Sequence, residues 1–325
     1  MATNFDINQI NPTTYRYLER YVDNFARVAD IPSDLLIGKP QLNKKPWISV
    51  VIPTYNRTTL FKEAVMSVLS QTSVDFSWEL IVVDNTPFDA DGKTPALKIL
   101  QEINDCRVLY YHNRENIGSG YNWNRGVELA RGEWVCFLHD DDLLSAYALW
   151  NIGRIIRTVD WTKKKLGLLY ARRTQFSTEY KEPEKQRKRS FIELTQRGTL
   201  IIGDTGTGMP SCGTTIRKQA YMEAGGINYD FGPTADAVLG YQIMNKYAVI
   251  CSDVPLGGYR WANNETFKKK TLQKLVEADW LFACYRYSKN SYALLWGKCF
   301  GRVIHNQNIF YKLRTAEKAG LSMNV

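Results

Sequence analysis

Between residues 48 and 138 the apolar residues fall into four short, nearly unbroken runs, 48–52, 79–84, 107–111 and 133–138. The stretches between them place apolar residues at helical spacing near 59–71, 94–103 and 120–130. Strands that are apolar along their whole length and alternate with helices predict an α/β fold. Its sheet is mostly parallel, flanked by helices, with ligands beyond the carboxyl ends of the strands. Ahead of this unit, Tyr15, Leu18, Tyr21, Val22 and Phe25 predict an amphipathic helix over 12–28, and the stretch from Pro32 to Pro46 reads as a linker. Behind it, Leu272, Leu275, Val276, Trp280, Leu281 and Cys284 recur at helical spacing, followed by an apolar run at 292–296 and basic residues to Lys318. These predict a C-terminal helical extension. The chain thus divides into an N-terminal helix and linker (1–46), a main domain (47–266, with halves 47–142 and 143–266) and the extension (267–325).

The carboxyl edge of the predicted sheet can be read directly. Its strands run into Pro53-Thr54-Tyr55-Asn56-Arg57, into Asp84-Asn85, into the polar segment 113–118, and into His139-Asp140-Asp141-Asp142. One Asp after a strand is ordinarily a turn former or helix cap, but here polar chemistry recurs at every edge. Three adjacent carboxylates repel one another by about 1 kcal/mol per pair at about 4 Å in water, and by more when desolvated. Two readings follow for the Asp run: a solvated acidic turn, or a site for a hard divalent cation such as Mn²⁺ or Mg²⁺, held by one or two carboxylates together with substrate phosphates. Neither a G-x-G-x-x-G loop nor a G-x-x-x-x-G-K-[ST] loop is present, which excludes the usual dinucleotide-dependent oxidoreductases and P-loop NTPases. Without a glycine cradle, a diphosphate at this edge needs a metal.

These segments, in this order, resemble the family 2 glycosyltransferases of the GT-A (Rossmann-like) fold. The resemblance covers about 48–266. It is carried by Val51-Ile-Pro-Thr-Tyr-Asn-Arg57, Gln71-Thr72, Glu79-Leu-Ile-Val-Val-Asp84-Asn85, Asn116-Ile-Gly118, Asn124-Arg-Gly126, Ala130-Arg-Gly132 and the strand ending in Asp140-Asp141-Asp142. Further on, Gly225-Gly226-Ile-Asn with Asp236 is similar to the segment of the family's catalytic carboxylate, and Tyr259-Arg260 with Asn264-Glu-Thr266 to its closing loop. The resemblance implies inverting transfer of a sugar, a hexose from a UDP donor foremost, to a glycan or lipid-linked acceptor in bacterial surface polysaccharide synthesis. It implies a nucleotide-sugar site at Pro53, Thr54, Tyr55, Arg57, Asp84, Asn116, Gly118, Asn124 and Asp140, with Tyr55 stacking on the base. It also implies Mn²⁺ or Mg²⁺ on Asp141 and Asp142, and Asp236 as the general base that takes the acceptor's proton. The family's Asp-x-Asp-Asp pattern would put His139 in the first acidic slot, and Asp141 is a ligand in either register. Two departures stand out. Ala235 precedes Asp236 where Glu is frequent, and Ala262 lies where a metal-binding His is common. For Asp236, a helix N-cap remains the alternative.

Composition narrows the setting. With 325 residues, 44% of them hydrophobic, the chain can bury a full core. A formal charge of +9 favours polyanionic company such as phosphorylated substrates, an anionic membrane surface or nucleic acid. An acidic sheet edge speaks against nucleic acid, which wants basic and aromatic residues on one face. A non-catalytic glycan- or nucleotide-binding relative is the other alternative. The basic stretch 154–198 reads as a solvated surface insertion or as a contact for anionic lipid, and glycine-rich 204–213 as an acceptor-side segment. No run approaches about 18 consecutive apolar residues and no signal-like N-terminus is present, so the expected place is the cytoplasm, at the inner face of the membrane. Six scattered cysteines fit reduced thiols. Oligomerisation is left open.

Overall fold

A computed structural model describes residues 21–40, 45–158, 164–183, 191–195, 212–260, 283, 286–287 and 291–318. In chain order its strands are β1 (Ser33–Ile37), β2 (Ile48–Thr54), β3 (Trp78–Asp84), β4 (Val108–Asn113), β5 (Trp134–Phe137), β6 (Leu143–Leu144), β7 (Leu166–Phe176), β8 (Phe191–Leu194), β9 (Thr215–Arg217) and β10 (Ala248–Arg260). Its helices are α1 (Thr59–Leu69), α2 (Pro95–Ile103), α3 (Ser119–Leu129), α4 (Ala148–Thr158), α5 (Lys218–Glu223), α6 (Ala235–Ile243) and α7 (Ser291–Lys318).

The strands form one sheet in the order β1-β4-β3-β2-β5-β9-β7-β10-β6, with β8 also paired to β10. The block β4-β3-β2-β5 is parallel throughout, as the alternation of apolar runs and helices predicts. Alternate residues of these strands feed two cores. Val51, Ile81, Val83, Val135 and Phe137 face Val127 of α3 and Tyr221 of α5. Ile48, Val50, Ile52, Leu80, Val82, Trp134 and Cys136 face Phe61, Val65 and Val68 of α1, Leu100 of α2 and Ile152 of α4. Burial on both faces is why the strands read as unbroken apolar runs, each such side chain contributing about 1.5–3 kcal/mol.

Helix placement follows local chemistry. Thr94 caps α2 by accepting from the Leu97 amide at 3.0 Å, Pro95 opens the helix, and Asn104 closes it in the left-handed conformation. On α3, Gly126 lets the helix lie against β2, for a Cβ there would sit 2.3 Å from Val51 Cγ1.

Outside the parallel block the sheet becomes mixed. β9 joins β5 and β7 in antiparallel fashion, β7 runs parallel to β10, and β6 and β8 pair antiparallel with β10. The linker expected over 32–46 is corrected: residues 33–37 are the edge strand β1, antiparallel to β4. Its pattern hides this because Leu35 and Leu36 are exposed, while what holds it is distant in sequence. The Arg125 guanidinium donates to the Ile31 carbonyl at 2.8 Å, the Ser33 hydroxyl at 2.7 Å and the Val28 carbonyl at 2.7 Å.

Of the helix expected over 12–28, the described part contains a single 3-10 turn, Ala26–Val28, with Phe25 buried beside Tyr221. The earlier positions lie outside the described residues, as do those at 272–281, about a third of 154–198 (159–163, 184–190 and 196–198) and 204–211 of the glycine-rich segment. The extension is seen as α7. Among the described residues no helix is long and apolar enough to cross a membrane. Five cysteines are free thiols and Cys284 lies outside the described residues. Burial pushes the Cys136 thiol up to about 12.

Candidate active site at the carboxyl edge of the sheet

The parallel block delivers β2, β3 and β5 side by side, so the segments that follow them meet. Thr54, the last residue of β2, donates its hydroxyl to Asp140 Oδ2 at 2.8 Å. Asn56 takes a positive φ of 51° and is tied through its amide to the Thr86 hydroxyl at 2.7 Å. That turn leaves Tyr55 52% exposed and sets Arg57 over the acidic run. The Arg57 guanidinium reaches Asp141 Oδ2 through Nη2 at 3.1 Å and Asp140 Oδ1 through Nε at 3.5 Å.

The three carboxylates differ. Asp142 is fully buried, accepting from the Arg260 amide at 2.9 Å and the Cys212 thiol at 3.1 Å. Asp140 and Asp141 are partly buried. Burial raises both Asp140 and Asp142 above the ordinary carboxylate value, and the charge of Asp141 adds to each shift. His139, half exposed, brings Nδ1 to 3.6 Å from Asp142 Oδ2 and packs against Trp123 with 5.2 Å between ring centroids. One ligand atom each from His139, Asp141 and Asp142 lies within 4.8 Å of the others, the chemistry of an oxygen-rich divalent cation site. Arg57 already places a positive group on it. The residues present fit Mn²⁺ or Mg²⁺.

Arg260, from the segment similar to the closing loop, and two residues outside the expected set, Glu63 and Cys212, complete the arrangement. Arg260, at the end of β10, gives Nε to the Asp141 carbonyl at 2.9 Å and Nη2 to Glu63 Oε2 of α1 at 2.5 Å, with its guanidinium 4.6 Å from the Phe176 ring centroid. It clamps the Asp run between α1 and β10. Glu63 carries no motif that marks it, since its partner is almost two hundred residues away. Cys212 reads from sequence only as one more small apolar residue.

The other expected positions spread along the same edge. Asp84 ends β3 fully buried, accepting from the Thr86 amide at 2.7 Å, the Thr94 hydroxyl at 2.8 Å and the Tyr110 hydroxyl at 2.9 Å. It fixes the floor beneath the β3–α2 loop. Asn116 and Gly118 are exposed at the N-terminus of α3, where the Asn116 side chain accepts from the Gly118 amide at 2.9 Å. Pro53 is half-buried. Asn124 is set apart from these. Its fully buried side chain accepts from the Tyr221 hydroxyl at 2.7 Å and the Ile227 amide at 2.8 Å, and donates to the Ile227 carbonyl at 3.0 Å. That bolts α3 to the segment 225–227. Asp236 lies half-buried in the first turn of α6, its Oδ1 accepting from the Ala237 amide at 2.7 Å. The N-cap position belongs to Thr234, so Asp236 is not the cap.

The profile of Glycosyl transferase family 2 matches residues 49–224, more than half of the chain. The chain belongs to that family. The GalNAc(5)-diNAcBac-PP-undecaprenol β-1,3-glucosyltransferase of Campylobacter jejuni is 37% identical over 105 residues, 32% of this chain and 32% of that protein. The chain spans between 15% and 64% of the length of the curated relatives it matches. Among solved structures, the mannosyltransferase PcManGT of Pyrobaculum calidifontis in complex with GDP-Man and Mn²⁺ aligns with a TM-score of 0.54 at 16% identity, covering 95% of this chain and 81% of that one. Staphylococcus aureus TarS in complex with UDP-GlcNAc aligns at 0.52 and 16% identity, covering 82% and 72%. Those two likenesses show the fold alone, a mixed α/β architecture of GT-A type. In this family 2 chain, the acidic run, Arg57 and Tyr55 all sit beyond the carboxyl ends of the parallel strands.

Proposed function

We propose that this protein is an inverting, metal-dependent glycosyltransferase that moves a hexose from a nucleotide-sugar donor, UDP-linked foremost, to a glycan or lipid-linked acceptor in bacterial surface polysaccharide synthesis. The observation that carries this reading is the convergence of Tyr55, Arg57 and the carboxylates of Asp140, Asp141 and Asp142 at one strand edge. The chemistry asks for that set. Exposed Tyr55 offers a face to a base, a contact worth about 1–3 kcal/mol, with Pro53, Thr54, Asp84, Asn116, Gly118 and Asp140 shaping the nucleoside pocket around it. Asn124 serves that pocket from behind, by holding α3 in place. Mn²⁺ or Mg²⁺ held by Asp141 and Asp142 beside His139 would neutralise the departing nucleoside diphosphate. Asp236 would take the proton of the acceptor hydroxyl as it attacks from the face opposite the leaving group.

The structural neighbours favour a nucleotide-sugar donor, one holding GDP-Man with Mn²⁺ and the other UDP-GlcNAc, and the C. jejuni relative is named for a lipid-linked glycan acceptor. The donor and acceptor parts of the catalytic domain are taken as 47–142 and 143–266, and residues 267–325 as an extension that meets the inner face of the cell membrane. A thermal-shift panel of UDP-, GDP-, dTDP- and CMP-sugars with and without Mn²⁺ tests the donor site. The expected result is a metal-dependent shift with one nucleotide class, about 2.7 kcal/mol at a hundred times Kd. No shift with any donor would turn the reading toward a non-catalytic glycan-binding relative. Asp236→Asn should keep the donor shift and lose turnover, and unchanged turnover would remove Asp236 from the mechanism.

A further inference from the structure

The carboxyl edge holds two arginines that differ in how they are held. Arg260 is 9% exposed and engaged on four sides, by the Asp142 carboxylate, the Asp141 carbonyl, Glu63 and the Phe176 ring. It is a fixed part of the wall. Arg57 has a side chain 34% exposed on a turn, and among the described residues its guanidinium meets only the carboxylates of Asp140 and Asp141. Its stem is long and flexible, and among the described residues no ring packs over its guanidinium as Phe176 does for Arg260.

Both carboxylates that Arg57 engages belong to the acidic run, and Asp141 also offers an oxygen to the candidate cation site. Without a metal, Arg57 therefore supplies the positive charge that lets these carboxylates stay together. A divalent cation arriving on Asp141 brings two positive charges next to the guanidinium, and like charges at this range disfavour each other. A nucleoside diphosphate arriving with the cation brings phosphate oxygens, the group that a guanidinium fork matches best.

We propose that Arg57 is a displaceable counter-cation, which holds Asp140 and Asp141 in the ion-free site, yields Asp141 to the divalent cation and turns to the diphosphate of the donor. The diphosphate half of this proposal rests on the donor reading above. Its consequence is that metal and donor bind together better than either binds alone, because each removes a cost that Arg57 imposes on the other.

The test is Mn²⁺ binding to the full chain, followed by electron paramagnetic resonance of free Mn²⁺ without nucleotide, in wild type, Arg57→Gln and Arg57→Lys. Then UDP and GDP are titrated at saturating Mn²⁺. Arg57→Gln should bind Mn²⁺ alone about tenfold more tightly, the scale on which a neighbouring charge shifts a carboxylate's affinity for a proton. The same variant should bind the nucleoside diphosphate more weakly, and Arg57→Lys should stay near wild type for Mn²⁺ because it keeps the charge. Mn²⁺ affinity unchanged or weakened in Arg57→Gln, with its melting curve intact, would overturn the proposal. Should wild type bind neither diphosphate, the donor reading fails, and the Mn²⁺ comparison still decides whether Arg57 competes with the metal.

Discussion

Asp141 keeps its carboxylate in contact with Arg57 while its main-chain carbonyl is pinned by Arg260, so the side chain can change partner without moving the strand end. Asp141→Ala should therefore abolish the Mn²⁺-dependent part of donor stabilisation and leave the melting temperature without ligand nearly unchanged. A loss of stability equal to the loss of donor response would mean that Asp141 holds the fold instead. Its neighbours set the pH response. Burial raises Asp140 and Asp142 above the ordinary value of 3.8. A carboxyl raised in the folded state adds no penalty while both states are protonated, and it withdraws stability as pH climbs from the unfolded value through the folded one. Metal binding needs the ionised form, so the proton competes with it. The ion-free protein should thus lose stability from this pair as pH rises above that value, and stabilisation by Mn²⁺ should grow over the same window. Melts across pH with and without Mn²⁺ check this, and an Mn²⁺ effect that shrinks with rising pH would contradict it. At this scale the sequence was informative where chemistry is concentrated in neighbouring residues, as in Tyr55 to Arg57 and Asp140 to Asp142. It was silent on Glu63 and Cys212, whose roles exist only through contacts with residues far along the chain.

Helix α3 shows how an element carries site geometry that no single residue displays. Its N-terminus presents Asn116 and Gly118 at the edge, and its body is fixed by Gly126 against β2 and by Asn124 against segment 225–227. Gly126→Ala forces a Cβ to within 2.3 Å of Val51 Cγ1, so either Val51 must turn in its packed site or the helix must lift from the strand that ends in Thr54. The expected cost is about 1–3 kcal/mol in urea unfolding, typical of overpacking. Asn124→Ala leaves the Tyr221 hydroxyl and both polar groups of Ile227 without their partner, at an expected cost of about 3 kcal/mol. In that variant the donor-induced shift should survive once the ligand is saturating. Donor binding lost with stability intact would instead put Asn124 in contact with the nucleotide. The four parallel strands and the helices between them were legible because burial on both faces leaves unbroken apolar runs. Strand β1 was not, since it is half-exposed and owes its place to Arg125, a residue whose sequence neighbours say nothing of Ile31 or Ser33. The mixed half was hidden for a similar reason: short strands such as β6 and β9 gain their order from pairing with β10 and β7, not from a pattern of their own.

At the scale of the whole molecule, acidic and basic residues gather in different regions. The carboxyl edge concentrates acid in a chain whose net charge is +9, so the excess of base must lie elsewhere. Part of it is in α7, whose sequence carries Lys298, Arg302, Lys312, Arg314 and Lys318 against Glu317. The same helix exposes large apolar side chains: Leu295 at 62%, Val303 at 56% and Phe310 at 64%. Spaced by eight and seven residues, these return to one side of an α-helix about every two turns. An exposed apolar stripe on a basic helix is the composition that rests in a membrane interface, the apolar side entering the acyl boundary and the bases meeting anionic head groups at about 1 kcal/mol each. The protein should therefore sediment with vesicles containing phosphatidylglycerol and far less with neutral vesicles. Raising salt should release it, since the electrostatic share is screened over about 8–10 Å near physiological ionic strength. Leu295→Glu with Val303→Glu should abolish sedimentation while leaving the Mn²⁺-dependent donor shift in place, because neither side chain belongs to the donor edge formed by Tyr55, Arg57 and the acidic run. If wild type instead forms a dimer that these substitutions dissociate, with no binding to either vesicle, the stripe is a subunit contact and the membrane assignment falls.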